Sequence, residues 1–322
     1  MKKVLIYMLA ALLIAVAFAG CTQNTGTSET VNDDGKISVV TTIFPPYDFA
    51  RAVSGGKADV TMLIDPGAEV HTFDPTPEDM IKIQDCDVFI YTGGENDAWV
   101  DTVLESMDTG GKQIVRLMDA VTPLEEETVE GMQAEEEAEG GEAEEEGEFD
   151  EHVWTSPKNA MLMVDAIAGA MGKADAANAD AYKQNAADYN AKISEVDGRI
   201  QSIVDSAPRK LIVVADRFPF RYLADEFGLE YSVAFSGCTA ESDVSVGTLT
   251  YLIDKVKEND IKYVYYIEFS NQKVAKAVTE QTGAEMLLLH SCHNVTKADF
   301  DAGVTYVSLM QQNADNLEKG LN

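Results

Sequence analysis

From Tyr182 to Ile203, apolar residues return at every third or fourth position: Tyr182, Ala186, Tyr189, Ile193, Val196, Ile200 and Ile203. A stripe with this period is one face of an α-helix, and its simplest use is core packing. The pattern begins near Asp175 and ends at Pro208. Some thirty residues at ~1.5 Å each make a rod of roughly 45 Å, long enough to span two lobes. The chain is therefore expected to place a linking helix over 173–207, between an N-terminal lobe (37–172) and a C-terminal lobe (208–322). Its 322 residues, 45% of them hydrophobic, suffice for two such lobes.

Both flanks of the rod alternate strand and helix. The first carries strands at 37–43, 58–64 and 88–92, with helices at 47–53, 80–84 and 97–106. Thr76-Pro77-Glu78-Asp79 reads as a helix start, a capping residue followed by proline and acids. The second carries strands at 211–215, 229–234, 263–267 and 286–289, with helices at 220–227, 246–258, 272–282 and 304–320. Short connections and β-branched, apolar strands indicate α/β lobes with mainly parallel, buried sheets.

Two segments stand apart. Residues 125–151 contain fourteen Glu and one Asp with no Lys or Arg; self-repulsion and few apolar side chains predict a disordered insert. With the formal net charge at -32, nucleic acid is excluded as a partner, because phosphate binding needs clustered Lys and Arg. At the N-terminus, Lys2 and Lys3 precede an apolar run and then Ala19-Gly20-Cys21. That order reads as a signal peptide (1–20) with lipidation at Cys21, followed by a polar tether over 21–36. The protein is then extracytoplasmic, anchored to the cell membrane by a lipid; no other stretch is long and apolar enough to cross a bilayer.

The chain has four histidines, His71, His152, His290 and His293, each just after a strand or in a loop. In open α/β sheets, ligands collect beyond the carboxyl ends of the strands. His290 follows the strand at 286–289, Asp216 that at 211–215, and Glu268 that at 263–267. His71, His152 and His290, with Asp216 or Glu268 as a fourth ligand, make a tetrahedral zinc site; manganese is the alternative metal. His293 reads as an outer residue. Outside the cell membrane a disulfide is allowed, and Cys238 and Cys292 both follow second-lobe strands, which suggests a bridge beside the cleft. Two free thiols, or Cys292 bound to zinc, are the rival readings, and Cys86 reads as a buried free thiol. A surface zinc hydrolase with Glu268 as base is the enzymatic alternative, but the chain has no HExxH and no nucleophile elbow, so no enzyme activity is expected.

Two segments carry a resemblance to a known family. Ile43-Phe44-Pro45-Pro46-Tyr47, with Gly67-Ala68-Glu69-Val70-His71-Thr72-Phe73-Asp74-Pro75-Thr76-Pro77, resembles the first metal motif of ZnuA-like solute-binding lipoproteins. Asp150-Glu151-His152-Val153-Trp154-Thr155-Ser156-Pro157 resembles the second, and the acid-rich insert before it is similar to a loop of the zinc branch. The resemblance implies two α/β lobes joined by a stiff helix, metal held between them, and delivery to an ABC importer permease, with an adhesin as a rival role. A monomer is expected. Two departures stand out. Asp216 occupies a place where the family usually has a histidine or glutamate, and His290 one where it usually has an aspartate.

Overall fold

The computed structural model describes residues 35–133, 148–237 and 243–322. The leader, Cys21, most of the tether, the centre of the acidic run and Cys238 lie outside these residues.

Two four-stranded sheets carry the fold. The first holds β1 (Ile37–Thr41), β2 (Ala58–Met62), β3 (Val88–Tyr91) and β4 (Gln113–Arg116), in the order β2-β1-β3-β4. The second holds β5 (Leu211–Arg217), β6 (Glu230–Phe235), β7 (Tyr263–Tyr266) and β8 (Glu285–Leu288), in the order β6-β5-β7-β8. Every pairing is parallel, with registers such as Val40↔Phe89 and Val213↔Ser232. The two lobes are thus wound alike. Strand order reverses beside β1 in one and β5 in the other, so a crevice opens at the carboxyl ends of both. β4 has no counterpart among the sequence expectations: its four residues begin and end in polar side chains and sit at the sheet edge, where a hydrophobic run is not needed.

Helix Pro77–Asp85 starts as its sequence predicts. Thr76 Oγ1 accepts from Asp79 N (3.2 Å), and Asp79 Oδ2 accepts from Thr76 N (3.1 Å). Helix Phe44–Ser54 begins three residues before the expected start, because Pro45 and Pro46 occupy its first turn, where a missing N–H leaves no bond unmade.

The predicted stripe lies on one 28-residue helix, Ala179–Ser206, and all seven of its residues are buried. They join a single apolar cluster that runs from Val39 and Phe49 of the first lobe to Val214 and Tyr265 of the second. A polar knot reinforces this junction. Buried Asp48 accepts from Tyr189 Oη on the long helix, from Tyr306 N at the start of helix Tyr306–Gly320 (2.8 Å) and from Arg51 Nη2 (2.6 Å). Arg51 in turn donates to Val304 O (3.1 Å).

The disorder expected for 125–151 does not hold for its described parts, 125–133 and 148–151. Glu125 and Phe149 form an antiparallel bridge, and Gln133 N donates to Ala234 O (2.9 Å). Leu124, Val129 and Met132 pack against the main core, which supplies the apolar burial that a purely acidic segment lacks. At its far end Asp150 and Glu151 are themselves buried. No helix of the described residues is long and apolar enough to cross a membrane.

Candidate metal centre

Three loops meet at the crevice. The first follows β2 and carries His71, the second enters helix Pro157–Ala174 and carries His152, and the third follows β8 and carries His293. One potential ligand atom from each lies within 4.8 Å of the other two. The imidazole centroids are 5.1 Å apart for His71 and His293, 5.3 Å for His152 and His293, and 6.4 Å for His71 and His152.

Each ring is set by its neighbours. His152 is fully buried, and its Nδ1 lies 3.1 Å from Asp150 Oδ1, which also accepts from His152 N at 2.7 Å. With the Nδ1 proton held there, the Nε2 lone pair faces inward; that atom is buried and has no hydrogen-bond partner. Such an orphan is costly unless something binds it. His71 is held by a longer relay: Nδ1 lies 3.1 Å from Asn96 Oδ1, while Asn96 Nδ2 donates to Glu151 Oε1 and Asn96 N to Glu151 Oε2 (3.0 Å). The consecutive acids Asp150 and Glu151 therefore orient two histidines from opposite directions, as outer carboxylates do around metal-bound imidazoles. Gly94, at φ 88°, is required here: a Cβ on it would stand 2.6 Å from Glu151. Gly237 lies beside the ring of His152, where an added Cβ would stand 3.0 Å from Cε1.

Electrostatics leave two rings neutral at pH 7. Burial, then the charges of His152 and Arg217, lowers the His71 pKa to about 4. Burial also holds His293 well below the usual histidine range, with His152, His71 and Arg217 adding to it. Burial works against protonation of His152 too, but there Asp150 and Glu151 outweigh it and the pKa rises. Burial pushes Glu151 up to about 7.

His290, expected as the third ligand, is not in the trio. Its main chain is clamped by Asn313, which accepts from His290 N and donates to His290 O, each at 2.7 Å. Its Nδ1 accepts from Cys292 N (2.9 Å). A main-chain N–H can only donate, so this nitrogen has no proton to give Glu268, whose Oε1 lies 3.4 Å away. The chain then turns back at Cys292, whose φ is 63°, and delivers His293 to the crevice in place of His290. Trp154 Nε1 donates to Ser291 O (2.7 Å), and Asn294 Nδ2 donates to Asp65 O (3.0 Å) and Ala68 O (2.9 Å), tying this loop to the loop that carries His71.

The two expected carboxylate ligands are committed elsewhere. Asp216 Oδ1 accepts from Arg217 N (3.0 Å) and Oδ2 lies 3.5 Å from Ile267 N. Glu268 accepts from Ser291 N (2.8 Å) and Ser291 Oγ (2.5 Å). Neither joins the histidine group. Cys292 is a buried free thiol, as is Cys86; its expected partner Cys238 lies outside the described residues. The signal for His293 was present in the sequence as a second histidine three residues on, but spacing alone does not say which way a loop turns.

Two similarly wound parallel-sheet lobes, a 28-residue helix packed in the apolar cluster common to both, and a histidine trio drawn from both define a two-lobed solute-binding architecture. A family model described as the periplasmic component A of zinc-uptake complexes matches residues 39–320. The chain belongs to this ZnuA family. It is 32% identical over 317 residues to the high-affinity zinc uptake system protein ZnuA of Bacillus subtilis, covering 98% of this chain and 97% of that one. It is 31% identical to the zinc-binding lipoprotein AdcA of Streptococcus pneumoniae, of whose length it spans 61%. Among solved structures, the metal-dependent lipoprotein YcdH of Bacillus subtilis aligns at a TM-score of 0.74 with 30% identity, over 89% of this chain and 99% of that one. The Zn(II)-bound ZnuA-like domain of Streptococcus pneumoniae AdcA aligns at 0.72 with 30% identity, over the same shares.

Proposed function

We propose that this protein is an extracytoplasmic zinc-binding lipoprotein that hands its metal to an ABC importer, with His71, His152 and His293 as the protein ligands. The observation that carries the reading is the buried, unpartnered His152 Nε2 facing two further imidazoles. Three nitrogen donors within mutual reach suit tetrahedral zinc, whereas manganese favours oxygen. The family and the zinc-binding relatives support the same cargo.

Carriage rather than catalysis fits the surroundings. Glu268, the base a hydrolytic zinc site would use, is engaged by Ser291 through both oxygens. In this reading Cys21 carries the lipid that keeps the carrier at the membrane, the permease of the importer is the partner, and the carrier works as a monomer. Elemental analysis of the purified protein tests the cargo: about one zinc per chain is expected, lost in the His293→Ala protein. A strain lacking the protein should grow poorly under zinc chelation and recover with added zinc. Manganese in place of zinc, or no growth defect, would overturn the assignment.

A further inference from the structure

We propose that the zinc is held together with a small organic acid, one carboxylate of which completes the coordination of the metal while Arg217 grips it. This inference rests on the zinc reading above and names what else that site takes.

Charge is the first argument. Three neutral imidazoles leave a bound Zn2+ with its whole +2 charge, and among the described residues no carboxylate joins them. A buried divalent charge is expensive unless counter-charges sit close to it, and the carboxylate of Asp150 reaches it only through Nδ1 of His152. Asp150 and Glu151 bear on His152 and Glu69 on His71, but none of them belongs to the histidine group, and the positive charge of Arg217 bears on both His71 and His293.

Arg217 is the second argument. It ends β5 and lines a cavity of about 340 Å³ together with His71, His152 and His293. Its main-chain N–H bonds Asp216, but its guanidinium makes no hydrogen bond and no ion pair among the described residues. Asp216 is already occupied by main-chain donors. A half-buried guanidinium presents five donors in a fork that matches a carboxylate. Placed beside a cation site, with its charge felt by Asp216 but with no hydrogen bond or ion pair among the described residues, it matches an anion held between the two.

Space is the third. The cavity holds more than a single ion needs, and an adjoining one of about 330 Å³ shares Glu69, His71, Arg217 and Phe269 with it and adds Ser270 and Asn271. An acid the size of an amino acid or a tricarboxylate fits beside the metal. One oxygen takes the fourth tetrahedral position and the other accepts from Arg217; no covalent bond forms or breaks. The rival role for Arg217 is to weaken the metal by repulsion and speed its release.

Equilibrium dialysis with radiolabelled citrate, and separately with radiolabelled glycine, at a buffered free-zinc level decides this, with zinc measured in the same samples. The zinc-loaded protein should retain about one equivalent of at least one acid, and the metal-free protein none. Arg217→Ala should lower that retention by at least about tenfold, as expected for losing a charge-assisted pair, and Arg217→Lys should retain an intermediate amount. Zinc held with neither acid by the unaltered protein overturns the inference and leaves the zinc reading standing. So does an Arg217→Ala protein that binds zinc more tightly in carboxylate-free buffer with acid retention unchanged, which assigns the residue to release. Failure of the unaltered protein to hold zinc overturns both.

Discussion

Asp150 Oδ1 lies 3.1 Å from Nδ1 of His152 and accepts the main-chain N–H of the same residue at 2.7 Å. One carboxylate oxygen thus fixes both the tautomer and the position of the most buried histidine in the crevice. Replacing Asp150 by Asn keeps the shape and removes the charge. Zinc affinity should fall about 10- to 100-fold, the usual effect of losing an outer carboxylate, with near-native far-UV circular dichroism. Competition with a chromophoric chelator measures it; unchanged affinity would show that the pair is only structural.

The two histidines after β8 should separate cleanly. His293→Ala removes a ligand and should cost more than the ~100-fold upper range of an outer-residue change. His290→Ala should leave zinc affinity within about tenfold. It should instead destabilise the fold by ~1–3 kcal/mol, since the buried Cys292 N–H loses its acceptor. Metal titration together with urea unfolding reads both effects, and the reverse pattern would restore His290 as the ligand.

Glu226 gives a pH signature away from the metal. Burial pushes its pKa up to about 7, with the nearby Asp197 adding to the rise, while Ser156 Oγ donates to it. The folded protein therefore binds this proton more tightly than the unfolded chain. Its stabilising contribution is full below the ordinary glutamate pKa and is lost as pH rises through about 7. Thermal midpoints of the metal-free protein should fall over that window, and Glu226→Gln should flatten the fall. Parallel curves for the two proteins would remove Glu226 from the account.

Ile200 tests the linking helix. It is wholly buried within the apolar cluster common to both lobes. Ile200→Ala should cost about 2–5 kcal/mol, the transfer and cavity cost of such a truncation. Because that cluster is continuous, unfolding monitored by tryptophan fluorescence and by circular dichroism should remain a single coincident transition. Two separated transitions would mean that the lobes unfold independently of the helix.

Much of this molecule is legible in its sequence because it is set by local pattern. The period of Tyr182 to Ile203 specifies a buried helix face, and β-branched runs such as Ile37–Thr41 specify strands of a buried sheet. The loops bearing His71 and His152 follow from strand ends and cap residues nearby. What only the tertiary structure decided is direction. Whether His290 or His293 enters the crevice depends on a left-handed turn at Cys292 and on clamps by Asn313 and Glu268, each more than twenty residues distant in the chain. Asp150 and Glu151 read as the end of the acidic insert and the start of the second motif; burial at the crevice makes them the groups that orient His152 and, through Asn96, His71. The likeness of charge along that run is a local property; the desolvation that gives two of its members a role is created only when both lobes close around them.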